Sequence, residues 1–179
     1  MTARQRPLAK QDLVLDTNIL LLLIGYQWAL NQKLDVSDRT DQLEELRGRD
    51  PRLPPELFER LWNRFKSNGK RLITQHVVAE TWSLGKARQA CGKADSLWSG
   101  MLEVLSHPGI EEASLEVRAM YERPEYQKIA DTVGPTDAGL IYLAERRSAT
   151  ILTEDGELLH WAHTRSVRTL QLSQIGSAL

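Results

Sequence analysis

Leu13-Val14-Leu15-Asp16-Thr17-Asn18-Ile19-Leu20-Leu21-Leu22-Leu23-Ile24 is the stretch that decides the fold. Its first three residues form a short apolar run bounded by acids, the pattern of a strand buried on both faces of a parallel sheet. Thr17 or Asn18 then supplies a helix cap. The helix that follows, running toward Leu30, is apolar on nearly every side at its start. Such a helix is either deeply buried or turned toward a partner. A strand that ends in an acid and passes directly into a helix is the opening unit of an α/β domain, whose ligand crevice lies outside the carboxyl ends of its strands.

Outward from this unit, the same alternation recurs. The sequence predicts a short helix over 40–47 and a second helix entered at Pro54-Pro55, with Leu57, Phe58, Leu61, Trp62 and Phe65 on one face and an end at Asn68-Gly69. A strand over 71–74 leads to a helix over 75–91, and Gly92 separates that helix from another over 93–105. His107-Pro108-Gly109 stops it, and a brief strand over 110–112 and a helix over 115–122 follow until Arg123-Pro124 interrupts. Gly134-Pro135-Thr136 marks a further helix entry, with Thr136 as cap and Asp137 in the first turn. A strand over 150–153, an Asp155-Gly156 turn, a short helix over 158–163 and a last strand over 167–172 complete the chain. The expected architecture is α/β, with a mostly parallel central sheet flanked by helices on both faces. Residues 1–11 read as a loose polar and basic terminus, and 12–179 as one domain with an enlarged helical segment at about 31–70.

Bulk properties narrow the function classes. At 179 residues the chain can bury a sizeable core, and 41% hydrophobic with 26% charged residues is ordinary for a globular protein. Net charge is −1, so any polyanion partner must be met by a local patch rather than a global field. The single cysteine, Cys91, excludes an intramolecular disulfide framework, favours a reducing and hence cytoplasmic setting, and reads as a small apolar helix residue. No apolar run is long enough to span a membrane.

Four acids stand at strand-to-helix junctions or in first turns: Asp16, Glu80 in Val77-Val78-Ala79-Glu80, Asp137 in Pro135-Thr136-Asp137-Ala138, and Asp155 in Leu152-Thr153-Glu154-Asp155. Singly, each has a bland reading as a cap, a dipole partner, a turn residue or a surface charge. Together they would line one edge of the sheet and repel one another unless protons or a cation offset their charge. Glu80, among apolar neighbours, reads as a charge in need of a partner. A hard divalent ion with oxygen ligands is the simplest resolution.

Asp-Thr-Asn after the first strand, a lone Glu on the helix after the second, Thr-Asp-Ala opening a later helix and Thr-Glu-Asp after the next strand resemble the PIN-domain nucleases, among which VapC-type toxins of toxin–antitoxin pairs are compact members. The resemblance runs from Leu13 to Leu172, and the 18 residues from Asp137 to Asp155 leave room for one helix and one strand, as that fold requires. It implies a metal-dependent endoribonuclease, with Asp16, Glu80, Asp137 and Asp155 as catalytic ligands of Mg²⁺ or Mn²⁺ and Asn18 and Thr153 orienting them. Glu154 is a candidate extra ligand whose side chain, one residue before Asp155, should point the other way. RNA is the implied substrate, with an antitoxin or other protein regulator and a homodimer as implied partners. The segment 31–70 is larger than compact toxins need, and it could shape substrate choice, cover the site or bind a partner.

Between Arg60 and Lys93 lie eight basic residues and one acid, Glu80, a local balance of +7 that suits phosphate tracking. Arg64, Lys70, Arg71, His76, Trp82, Lys86 and Arg88 are the nucleic-acid-binding candidates there, against the plainer reading of a solvated helix face. Trp62 and Phe65 read as core. Trp161 with His160, His163, Arg165 and Arg168 forms a second candidate edge. Two other functions compete: a catalytically inactive PIN-like RNA- or protein-binding scaffold, and a small-molecule phosphohydrolase. Against the latter, position 18 is Asn where aspartyl-phosphate chemistry needs a second Asp, and no Gly-rich phosphate loop or zinc spacing is present.

Overall fold

The computed structural model describes residues 11–48, 53–67, 69–88, 91 and 94–175. Five short strands, β1 (Leu13–Leu15), β2 (Arg71–Ile73), β3 (Ile110–Glu112), β4 (Thr150–Leu152) and β5 (Arg168–Leu170), form one sheet in the order β3-β2-β1-β4-β5. Every pairing is parallel, with Leu15 opposite Leu152 and Ile73 opposite Glu112. The carboxyl ends therefore lie along a single edge. The chain leaves β1 toward β2 and β3, then returns to β4 on the other side of β1. That reversal places the topological switch point between β1 and β4, the position at which open α/β sheets hold their ligands.

Nine helices among the described residues cover the sheet: α1 (Thr17–Asn31), α2 (Val36–Arg47), α3 (Pro55–Lys66), α4 (Gln75–Ala87), α5 (Ala94–Leu105), α6 (Val117–Tyr121), α7 (Pro124–Val133), α8 (Pro135–Arg147) and α9 (Gly156–Thr164). They form two layers. In one, α1 packs against α2, α3, α4 and α5; in the other, α8 packs against α6, α7, α9, β1 and β4. This is an α/β, Rossmann-like architecture. No helix among the described residues is long and apolar enough to cross a membrane.

Of the two outcomes open to α1, burial is realised within the single chain. Ten of its fifteen residues are buried, including the whole run from Ile19 to Ile24. Close approach of α2 makes this possible: a Cβ at Gly25 would stand 2.5 Å from Leu46 Cδ1. Gln11 belongs to the domain rather than to a loose terminus, being buried with its Oε1 accepting from Thr150 Oγ1 at 3.0 Å.

Several boundaries differ from expectation for local reasons. Asp16, not Thr17 or Asn18, is the N-cap residue of α1, since its extended backbone (φ −75°, ψ 156°) precedes the first helical residue; its carbonyl accepts from Leu20 N. Gly134, not Thr136, caps α8, at φ +92°, a conformation that glycine alone adopts without strain. α2 begins at Val36, earlier than predicted, because Asp35 accepts from Asp38 N. α4 ends at Ala87, so Cys91 sits beyond it at φ +62° rather than inside a helix. Burial pushes its thiol up to about 12, which keeps it unreactive. α7 was not foreseen: Pro124 begins that helix at its first turn instead of interrupting one. The breaks expected at Asn68 and Gly92 lie outside the described residues.

Replacing Leu20, fully buried in the first turn of α1, by Ala should lower the unfolding free energy by about 2–5 kcal/mol in urea titrations, the range for a cavity that close packing cannot refill.

Candidate functional site

Asp16 leaves the end of β1 directly beside the end of β4. It is 3% exposed, and its side chain makes no cap bond with its own helix. Instead Thr153, which follows β4 and is fully buried, donates its hydroxyl to Asp16 Oδ2 at 2.7 Å. The same hydroxyl accepts from Asp155 N at 2.9 Å. One oxygen thus orients both the first and the last of the four acids. Asp155 is more than a turn residue: it is the N-cap of α9, its Oδ1 accepting from Glu157 N at 2.9 Å and Leu158 N at 3.1 Å.

Glu80 reaches the site from α4. It is exposed, as is Ala79, so the burial expected from its apolar neighbours does not occur; Val77 is buried in the core and Val78 packs half-buried against it. Its partner is the Thr17 hydroxyl, which donates to Glu80 Oε2 at 2.9 Å across 63 residues of sequence. Thr17 was missed in the sequence, although its place immediately after Asp16 was a usable signal. Asn18, the expected orienting group, is half-buried one residue further along α1. Asp137 is half-buried in the first turn of α8, aimed by the Gly134 turn.

The electrostatics join the four acids. Burial pushes the Asp137 carboxyl up to about 7, and Asp16, Asp155, Glu80 and Glu157 add repulsion in that order. Asp16 is also raised, first by burial; its bonds to Thr153 and the Thr17 backbone pull the other way, and Asp155 and Glu80 push it up again. The donor set is oxygen only, the choice of Mg²⁺ or Mn²⁺. Among the described residues, however, no three His, Cys, Asp or Glu side chains converge into a ready-made cage. Mg²⁺ keeps several waters and needs only one or two carboxylates in direct contact, so the residues fit such an ion through charge and donor type rather than through a closed cage. Glu154 turns away from this group, as alternation along an extended chain requires, and pairs with Arg47 Nη2 at 3.2 Å.

The basic window does not form one track. Arg71 is buried under the α3–β2 turn, donating to the carbonyls of Gly69, Ser67 and Arg64, with its guanidinium 5.7 Å from the Phe65 ring centre. Arg64 is half-buried, with burial lowering its pKa as it does that of Arg71. The Arg71 charge serves the fold. Lys70 pairs with Glu111 at 2.6 Å, and Arg88 donates to Leu46 O at 2.6 Å. His76 and Lys86 are exposed on α4, and Lys86 stands 5.7 Å over the Trp82 ring. Trp82 meets Trp98 edge-on at 5.6 Å in a cleft of about 530 Å³, lined also by Val78, Ala79, Met101 and Ile110, with Trp98 51% exposed. Trp62 and Phe65 pack with the core. On the second edge, Arg165 is taken by Glu145 and Arg168 by Ser148 O, leaving His160 and Trp161 in mutual contact.

Two outcomes follow from this geometry. Asp137 has an ordinary value of 3.8 when unfolded and about 7 when folded, so the folded chain holds the extra proton between those values. Stability of the metal-free protein should therefore fall as pH rises from about 4 to 7 and level off above. Asp137→Asn should flatten that fall in thermal melts and raise Tm at pH 8, by roughly 2–4 °C per kcal/mol of repulsion relieved. Arg71→Ala should cost about 1–3 kcal/mol or more in denaturant titrations, because buried carbonyls lose their donor, while leaving polyanion binding unchanged.

Compared with known protein families, characterised proteins and solved structures, the chain matches none.

Proposed function

We propose that this protein is a metal-dependent nuclease that hydrolyses phosphodiester bonds of RNA at the β1/β4 crevice. The observation that carries the reading is the gathering of Asp16, Glu80, Asp137 and Asp155 near the switch point, where burial first, and then repulsion from the other three acids, push Asp137 up to about 7. A fold has no use for such repulsion, and strongly perturbed carboxyls in a crevice are the signature of a working site. Bound Mg²⁺ or Mn²⁺ supplies the offsetting charge, Lewis-acid stabilisation of the phosphate and activation of water.

The chain's own residues prepare that chemistry. Thr153 holds the Asp16 carboxylate and the Asp155 backbone in fixed relation, and Thr17 holds Glu80. Asp137 gives up its proton when a cation arrives, so cation binding should release protons and tighten with pH. RNA as the substrate follows from the PIN resemblance. Its support here is the Trp82–Trp98 cleft flanked by Lys86, where unpaired bases have an aromatic surface to stack on.

A second reading, a scaffold on the same fold without activity, is favoured by one observation, the lack of three converging ligands among the described residues. Labelled RNA and single-stranded DNA pools incubated with Mn²⁺, Mg²⁺ or EDTA separate the two. Wild type should cut RNA only with metal. Asp137→Ala should lose more than the roughly 10–100-fold expected for an outer-sphere partner, which is the loss expected for Thr153→Val. Wild-type protein that neither cuts nor gains thermal stability from Mn²⁺ would establish the scaffold.

A further inference from the structure

Arg47 links the enlarged segment to the loop after β4. Arg47, the last residue of α2, sends Nη1 to Glu44 Oε2 at 3.3 Å and Nη2 to Glu154 Oε2 at 3.2 Å. The three side chains are 9%, 4% and 13% exposed, so the ionic cluster is out of water. Each carboxylate is held again on its other oxygen: Glu44 Oε1 accepts from Leu53 N at 2.7 Å, and Glu154 Oε1 from Leu172 N at 3.1 Å. The guanidinium fork thus ties α2 and the approach to α3 to the exit of β4 and the turn after β5.

Glu154 lies between Thr153 and Asp155, the two residues whose side chains address the crevice. Its own side chain points the opposite way, so whatever fixes Glu154 fixes the peptide that aims its neighbours. We propose that Arg47 is a positioning residue for the Asp155 carboxylate, acting through Glu154. Without the guanidinium, Glu154 Oε2 loses this charged donor, and a carboxylate so enclosed responds by protonating or by swinging toward water. Either response turns the backbone on which Asp155 and the Thr153 hydroxyl stand. The enlarged segment is by this account a structural part of the site. Its catalytic meaning rests on the nuclease reading, whereas its mechanical meaning does not.

The experiment compares wild type with Arg47→Ala, Arg47→Lys, Glu154→Ala and the Arg47→Ala/Glu154→Ala double variant, by amide hydrogen exchange and by RNA cleavage with Mn²⁺. In Arg47→Ala, the amides of Asp155, Glu157 and Leu158 should exchange about tenfold faster, with α7 and α8 changing by less than about twofold. The kcat should fall by about a hundredfold, the scale of a small misplacement, with KM held within about twofold. Arg47→Lys should be intermediate, keeping the charge but not the fork. On a Glu154→Ala background, removing Arg47 should change kcat by less than about twofold. Uniformly faster exchange across the sheet, or losses that simply add in the double variant, would overturn the proposal. If Arg47→Ala does not fold, Arg47→Lys carries the same two readouts. If wild type cuts no nucleic acid, the nuclease reading fails, and local against uniform exchange still decides whether Arg47 holds the turn.

Discussion

The Thr153 hydroxyl is the contact on which the site depends. It donates to Asp16 and accepts from the Asp155 backbone, so one fully buried oxygen ties the end of β1 to the loop after β4. The parallel register makes the contact possible, because Leu15 faces Leu152 and the next residue of each strand must therefore be neighbours. A short strand of three residues has little freedom to slip when both its faces are buried. Side-chain chemistry at the crevice is in this sense a product of sheet pairing. The acids are brought together against their own repulsion by the burial of Val14 and Ile151, both fully enclosed.

Much of the frame was legible in the sequence. All five strands were readable; the three inner ones carry short apolar runs, whereas the edge strands Ile110–Glu112 and Arg168–Leu170 are largely polar and were marked by the turns and helices around them. The parallel sheet followed from their alternation with helices. Helix ends were harder. Gly134 and Asp155 took the cap positions that pattern alone had assigned to Thr136 and to a turn, since capping depends on φ and ψ that composition does not report. α7 hid behind Pro124, which starts helices as readily as it stops them.

At the site, the strand-end acids were legible because the strands were. Residues that act across the fold were not. Thr17 reaches Glu80 over 63 positions and Arg47 reaches Glu154 over 107, and neither pairing leaves a trace in local pattern. Charge counting failed for a related reason. A tally of lysines and arginines has no direction, and Arg71 spends its charge inward on three carbonyls while Lys86 faces outward over Trp82. Glu80 erred in the opposite sense: apolar neighbours in sequence suggested burial, but a helix sends consecutive residues to different faces.

The enclosure of α1 has a consequence for the handling of this chain. Much of the wall around that helix is supplied by α2 and α3, between β1 and β2. A trimmed version lacking them would present a bare ridge of leucines and isoleucines to solvent, a surface that drives self-association. The helix and the segment that covers it are therefore one packing unit. Neither can be lost alone, and any minimal variant would have to be redesigned along α1 before it was shortened.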